Sequence, residues 1–339
     1  MGFHILKRMC FSISRIIKQF PGKGLLAIVL FFGFSCKNPD AIKAEIEAIP
    51  VSISIDRFDR KFHEATPDQI PELKEKYPFL FPQQFTDSVW IKRQKDSLQL
   101  LLQKAVDEKF PKMESLESDL SHLFKHIQYY FPATPSPHTI GLINNVDYQS
   151  KSIYADSLLI ISLDTYLGKQ HPLYEGIPNY IRQQMDVAYL TSHVAEKFVE
   201  TQLAPPADRT FLAQLIYFGK IEYLKSLLVP HVSEAIRFGY SEEQLKWTQE
   251  NQKYIWQYFI EKQLLYSTDP SLIQRFLAPA PFSKFYLEID NQTPGQIGVW
   301  LGTEIVKAFC EKNPDYTYPE ILALPALTIF QQSNYKPSR

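Results

Sequence analysis

Cysteine, glycine and long apolar runs are all scarce in this sequence. Its 339 residues include only 3 Cys and 12 Gly, against 24 Pro. Few glycines favour helices over tight hairpins, and the prolines fall mostly between the periodic stretches, where they end helices. The sequence also has no Gly-rich phosphate loop, no G-x-S-x-G elbow and no Cys-x-x-Cys pair. It therefore lacks the signature motifs of many nucleotide-binding, hydrolytic and redox proteins.

An apolar run at residues 24–35 carries no charge and is followed by Cys36. The run is too short to cross a membrane as a helix, which needs about 20 residues. Because five basic and no acidic residues precede it, the pattern predicts a lipoprotein signal over residues 1–36, starting at Met1 or Met9. An uncleaved anchor or a core segment is the alternative.

Cleavage of this signal would make Cys36 the first mature residue. We expect Cys36 to be acylated, with a diacylglycerol and a palmitate-type chain. Residues 37–50 would then be a tether that leads from the membrane to a domain in the periplasm; the membrane, inner or outer, stays open. Cys10 leaves with the signal, so Cys310 has no disulfide partner. Removing the five basic residues of the signal from the 36 Lys and Arg leaves 31 basic residues against 37 acidic ones. Because the sequence also has no basic stripe, we expect no nucleic acid as a partner.

Residues 51–339 predict a single α+β domain, mostly helical with a small early sheet. Apolar alternation and short apolar runs predict strands at residues 51–55, 139–146 and 157–163. Three-and-four spacing predicts helices at residues 87–110, 116–131, 187–202, 208–228, 242–265 and 295–311, with short helices around 318–332. Asp87 is expected to cap the first helix, with Leu98, Leu101 and Leu102 facing the core. The helices that hold His193 and Phe218 are expected to pack together. The predicted contact faces are Leu190, Val194 and Phe198 on the first helix and Leu212, Leu215 and Phe218 (or Gly219) on the second.

Two histidines share one face of a predicted helix. His122 and His126 are four residues apart, a spacing that can hold zinc. Leu123 follows His122 where a zinc peptidase would have a glutamate. We interpret the two as one surface histidine and one interfacial histidine.

A third histidine begins a segment that partly matches the H-E-x-x-H motif. His193 holds the first ligand position, Val194 the position of the general base and Lys197 that of the second ligand. A valine takes no proton from water, and an ammonium repels a divalent cation. On the next helix Phe218 stands before Gly219, where such peptidases have an acidic ligand. We therefore expect no metal, no cofactor and no catalysis.

Several long strings of the sequence resemble the family of the gliding-motility lipoprotein GldB. These strings are residues 54–59, 123–132, 153–158, 208–213, 258–260, 265–270, 275–287 and 294–298. The resemblance covers essentially all of the mature chain. It implies a membrane-tethered component of a gliding apparatus in the cell envelope, with other gliding proteins and the small soluble protein GldC as partners. GldB-like proteins in turn resemble gluzincin-type zinc proteases, which implies a degenerate zincin-like architecture that keeps only His193.

Three hypotheses follow for the function. The first is a non-catalytic pseudo-peptidase lipoprotein that works through protein contacts. The second is a divergent zinc-dependent hydrolase, using for example His193, Glu200 and Glu222. The third is a module that binds cell-wall peptide or glycan in the cleft left by a lost active site. An aromatic cluster within residues 276–287 is either core or an exposed patch for a protein partner.

Overall fold

The computed structural model describes residues 39–337. Cys36 and the predicted signal lie outside the described residues. The chain divides into two units at Ile42, and of the first unit only residues 39–42 are described. The following paragraphs concern the second unit, which begins at Lys43.

A four-stranded sheet lies early in the chain, as predicted. Its strands, in the order β1-β2-β4-β3, are β1 (Ile55–Arg57), β2 (His138–Leu142), β3 (Ser152–Ala155) and β4 (Leu158–Ser162). β1, β2 and β4 are parallel, and β3 is antiparallel to β4. The sequence did not predict β3, and the strand predicted for residues 139–146 extends beyond β2, which ends at Leu142.

The predicted strand at residues 51–55 is wrong except for its last residue. The alternation is real, since Val51, Ile53 and Ile55 are buried. The backbone N–H of Ile53, however, donates to the hydroxyl of Ser121 at 2.9 Å, and that of Ile55 donates to the carboxylate of Glu117 at 2.8 Å. Side chains of a helix, and not a neighbouring strand, therefore accept the backbone hydrogen bonds of Ile53 and Ile55.

Six helices precede or flank the first strands in the described residues. They are α1 (Pro39–Glu47), α2 (Phe58–Glu64), α3 (Ile70–Lys76), α4 (Asp87–Gln94), α5 (Ser97–Lys109) and α6 (Glu114–Tyr130). Residues 39–47 of the predicted tether are thus helical, and Glu47 at the end of α1 pairs with Lys125 of α6 at 3.1 Å.

The helix predicted for residues 87–110 is two helices. Asp96 interrupts it, because its carboxylate accepts hydrogen bonds from the backbone N–H groups of Leu98 and Gln99 and so starts α5. This break turns Leu98 and Leu101 to solvent, while Leu102 is fully buried. Asp87 is the first residue of α4 and makes no cap; it pairs with Lys74 at 2.7 Å.

The C-terminal half is helical, as predicted. Its helices are α7 (Asn179–Arg182), α8 (Leu190–Thr201), α9 (Phe211–Leu228), α10 (Glu234–Phe238), α11 (Glu242–Glu250), α12 (Gln252–Glu261), α13 (Ser271–Phe276), α14 (Ile297–Lys312), α15 (Tyr318–Ala323) and α16 (Ala326–Ser333). None of the helices between residues 39 and 337 is long and apolar enough to cross a membrane.

Helix α9 is the central helix, and it packs on α8 on one side and on α14 on the other. The predicted pairing of α8 with α9 is confirmed, and Phe218 packs against the core that they share, but the predicted face of α9 is wrong at Leu212 and Leu215. Leu190, Val194 and Phe198 of α8 share a buried core with residues 221, 224 and 228 of α9. Leu212 and Leu215 belong instead to the core around α14, where a Cβ on Gly302 would lie 2.0 Å from the carbonyl oxygen of Leu215.

Candidate functional site

A cavity of about 480 Å³ opens between α8, α9, α10 and the start of β3. Charged and polar side chains form much of its wall. Those that the argument uses are Lys151, His193, Glu196, Lys197, Glu200, Phe218, Glu222, Lys225 and Arg237. The volume lies within the range of small-molecule sites.

Helical periodicity brings these side chains together. On α8 the cavity residues lie at positions 193, 196, 197 and 200, and on α9 at positions 218, 221, 222 and 225. Both sets follow i, i+3, i+4, i+7 spacing, which is one face of a helix. The opposite face of α8 carries Val194, which is fully buried in the core.

An ion-pair cluster centred on Lys225 closes the floor of the cavity. Its ammonium lies 2.5 Å from Glu222 and 3.3 Å from Glu196, and it donates to the carbonyl of Arg237 at 2.7 Å. The side chain of Lys225 is only 3% exposed. Burial would lower the pKa of Lys225, but Glu222 and Glu196 outweigh it and the pKa is raised. Burial raises the pKa of Glu222 to about 7, against the opposing effect of Lys225.

His193 lines the same cavity as this cluster. Its Nδ1 is 3.1 Å from the hydroxyl of Tyr166, and its ring stacks on Tyr189 with centroids 6.1 Å apart. Burial lowers the pKa of His193 well below the usual value, and the charges of Lys151, Lys225 and Lys197 lower it further. The site is arranged to keep this histidine uncharged at physiological pH.

The donors in the cavity do not fit a zinc site. Lys197 pairs with Glu200 at 2.7 Å, and Lys225 holds Glu196 and Glu222. A divalent cation beside His193 would therefore meet ammonium groups before it met a free carboxylate. Among residues 39–337, no group of three or more His, Cys, Asp or Glu is placed to hold a metal ion.

The other predicted histidine pair lies elsewhere. His122 is about half exposed and its Nδ1 is 3.4 Å from Glu47. His126 is partly buried, and its Nδ1 is 3.1 Å from the carbonyl oxygen of Leu227. The interpretation of one surface and one interfacial histidine agrees with this geometry.

The structure brings His193, Lys197, Glu200, Glu222 and Phe218 to the cavity wall and leaves Val194 out of it. Sequence reasoning missed Lys151, Glu196, Lys225 and Arg237. A usable signal existed for one of them. Lys225 lies three residues after Glu222 within the mostly apolar helix α9, and buried charges of this kind are almost always paired.

A second surface feature lies at the aromatic segment before α14. Phe276, Leu277 and Phe285 are buried, whereas the Tyr286 patch, comprising Tyr254, Tyr286, Leu287 and Ile289, is exposed. Tyr254, Leu287 and Ile289 line one shallow groove. The aromatic cluster is therefore part core and part exposed surface.

The backbone of Tyr286 is held in the left-handed region, with φ 63°. The carboxylate of Asp290 stabilises this turn by accepting hydrogen bonds from the backbone N–H groups of residues 285, 286 and 287 at 2.9–3.3 Å. The guanidinium of Arg275 lies 4.3 Å from the centre of the Tyr286 ring. A strained non-glycine residue that is held in place by its surroundings is typical of functional positions.

These features define a mostly helical α+β protein with a charged cavity beside its central helix. A family model described as gliding motility protein GldB matches residues 39–337. The chain therefore belongs to the GldB family of gliding motility proteins. No significant match was found among curated proteins or among solved structures. The zincin-like architecture accordingly stays a prediction.

Proposed function

We propose that this chain is a lipid-anchored, non-catalytic component of a gliding apparatus, which acts through protein contacts in the cell envelope. Its membership of the gliding motility family supports the process and the envelope location. The ion pairs of Lys225 with Glu196 and Glu222 are the observation that supports a function without catalysis. Lys225 engages Glu222 and Lys197 engages Glu200, the two carboxylates that the hydrolase hypothesis would need for a metal or for water.

A divergent zinc-dependent hydrolase is the competing function. Three lysines lower the pKa of His193, and they would oppose a divalent cation in the same way. Val194, at the position of the general base, packs in the core. A valine at that position takes no proton from water, so the first step of the usual metallopeptidase mechanism lacks its base.

The Tyr286 patch supports a role in protein contacts. Tyr286 is 73% exposed and Leu287 51% exposed, on a turn that Asp290 holds rigid. Aromatic side chains on a rigid surface gain binding energy with little loss of conformational entropy. Other gliding proteins are the partners that the family suggests, and GldC is the one that we propose to test first.

The non-catalytic function predicts how His193→Ala behaves. Full-length protein purified in detergent should contain far less than one zinc per chain by metal analysis. A deletion strain that expresses His193→Ala should glide as the wild type does, because no reaction passes through the imidazole. Near-stoichiometric zinc that is lost in His193→Ala, together with lost gliding, would contradict the proposal.

The lipid anchor is tested separately at Cys36. Cys36→Ser should lack the acyl mass in intact-mass spectrometry and should leave the membrane fraction. A single acyl chain holds a protein only marginally, whereas two or three hold it stably. Wild-type protein that retains Met1 or Met9 and carries no acyl mass would refute the anchor.

A further inference from the structure

The charges on the cavity wall do not balance. Its described lining contains four basic side chains, Lys151, Lys197, Lys225 and Arg237, against the three glutamates 196, 200 and 222. Lys225 and Lys197 have carboxylate partners. When all seven groups are ionised, one positive charge is left without an opposite charge, and this excess suits an anionic ligand.

Within residues 39–337, Lys151 is the basic side chain of the cavity wall that has no carboxylate partner. It is half-buried where the chain enters β3, and no carboxylate among residues 39–337 lies within 4.0 Å of its ammonium. Lys197 and Glu196 are close enough to influence it electrostatically. Because burying an unpaired charge is unfavourable, an anion that enters the cavity would gain most by pairing with Lys151.

Two further polar atoms at the wall lack hydrogen bonds. Glu222 Oε1 and Arg237 Nε are both buried and have no hydrogen-bond partner in the described part of the chain. They lie 3.9 Å apart, one an acceptor and the other a donor. An amide group offers both complements, since its N–H donates and its carbonyl oxygen accepts. Apolar wall residues such as Ile181 and Phe238 can contact a small uncharged part of the ligand.

We propose that this cavity binds a small ligand with one carboxylate and at least one amide, the chemistry of a free peptide C-terminus. The carboxylate pairs with the ammonium of Lys151, and the amide lies toward Glu222 and Arg237. This inference does not depend on the proposed function, since a binding cavity fits either a contact protein or a hydrolase.

The pH dependence of binding gives a readout of the Lys151 ion pair. Burial lowers the pKa of Lys151 to about 8, an effect that Glu196 opposes and Lys197 reinforces. The ammonium is therefore lost as the pH rises through about 8, and affinity should fall there. The other titratable or charged groups of the cavity that the measurement must consider are His193, Glu200, Glu222, Lys225 and Arg237.

The test uses full-length protein and isothermal titration with three probes: N-acetyl-dialanine as the free acid, its C-terminal amide, and acetate. The acid should bind and the amide should bind at least about tenfold more weakly, since a charge-assisted hydrogen bond is lost. Lys151→Met should weaken binding of the acid by a similar factor, and Lys151→Arg should retain it. Lys169→Met, at an exposed lysine, is the matched control.

Each alternative outcome would overturn the proposal. These outcomes are no binding of the acid, equal binding of acid and amide, and equal effects of Lys151→Met and Lys169→Met. Acetate that competes as well as the peptide acid would show a general anion site and would remove the amide from the argument. If Lys151→Met fails to fold by circular dichroism, Lys151→Gln and the pH profile of the wild type decide. None of these measurements involves zinc or gliding, so the outcome is separate from that of the proposed function.

Discussion

The cavity and the Tyr286 patch place opposite kinds of side chain where proteins seldom put them. The cavity holds seven charged side chains among helices, while the patch exposes Tyr286, Leu287 and Ile289. Buried charges are stable only when paired, so the cavity depends on its internal partners. Exposed aromatic side chains contribute little to folding, so the patch is free to serve an external partner. Substitutions in the cavity should therefore affect stability, and substitutions in the patch should affect binding.

The largest expected effect is that of Lys225→Met. This change leaves Glu196 and Glu222 facing each other without the ammonium between them. Breaking a buried pair by removing one partner costs about 3–5 kcal/mol, which urea unfolding should show as a lower free energy of unfolding. Lys246→Met is the control, since Lys246 and Glu250 form an exposed pair at 3.8 Å that is worth less than about 1 kcal/mol. Similar losses for the two variants would end the contrast between cavity and surface.

The second effect is a pH dependence that belongs to the cavity alone. Burial raises the pKa of Glu222 from 4.5 to about 7. Between these values the folded protein holds a proton that the unfolded chain has released, so the free energy of unfolding falls as the pH rises through this window. Glu222→Gln removes this titration, and each pKa unit corresponds to about 1.4 kcal/mol.

The measurement is the difference in unfolding free energy between wild type and Glu222→Gln from pH 5 to pH 8. Its value should decrease by about 1 kcal/mol or more as the pH rises. Tyr286→Ala should run parallel to the wild type over the same range, because the patch is remote from this titration. A difference that stays flat or grows with pH would show that Lys225 outweighs burial at Glu222.

The third effect tests the rigidity of the patch. Asp290→Ala removes the acceptor of three backbone N–H groups and releases Tyr286 from φ 63°. We expect a loss of about 1–2 kcal/mol, because the turn is largely open to water. Asp290→Asn keeps one acceptor oxygen and should cost less. Glu288→Ala, at an exposed neighbour, should stay within about 0.5 kcal/mol, and an equal loss there would assign the effect to general disturbance of the loop.

Local periodicity explains which parts of the fold the sequence could predict. Helix α6 begins and ends within two residues of its predicted bounds, because apolar side chains at three-and-four spacing report directly on one helix face. The strand at residues 51–55 failed because its N–H groups bond to Ser121 and Glu117, more than 60 residues away. Alternating burial indicates an extended chain, but it does not identify which groups accept the hydrogen bonds of the backbone N–H groups.

The candidate site divides in the same way. His193 and Lys197 were found by comparison with a short motif whose spacing is visible within one helix, and Phe218 by its place before a glycine on the next helix. The ion pairs that set the charge of the cavity join different elements: Glu196 of α8 and Lys225 of α9 are 29 residues apart, and Lys151 precedes a strand that was not predicted. Long-range pairing of this kind has no local sequence pattern, so the charge balance of the cavity emerged only from the fold.

The smallest expected effect on stability is that of Tyr286→Ala, and it should have the clearest effect on partners. The ring is 73% exposed and rests against Arg275, so its removal should change the free energy of unfolding by less than about 1 kcal/mol. If the patch is a contact surface, full-length Tyr286→Ala protein purified from gliding cells should lose at least one co-purifying gliding protein. Tyr266→Ala, at a tyrosine that is 62% exposed elsewhere, should keep the full set. An unchanged set for Tyr286→Ala would mean that the partners bind another surface, and the exposed turn would then be strained without serving contact.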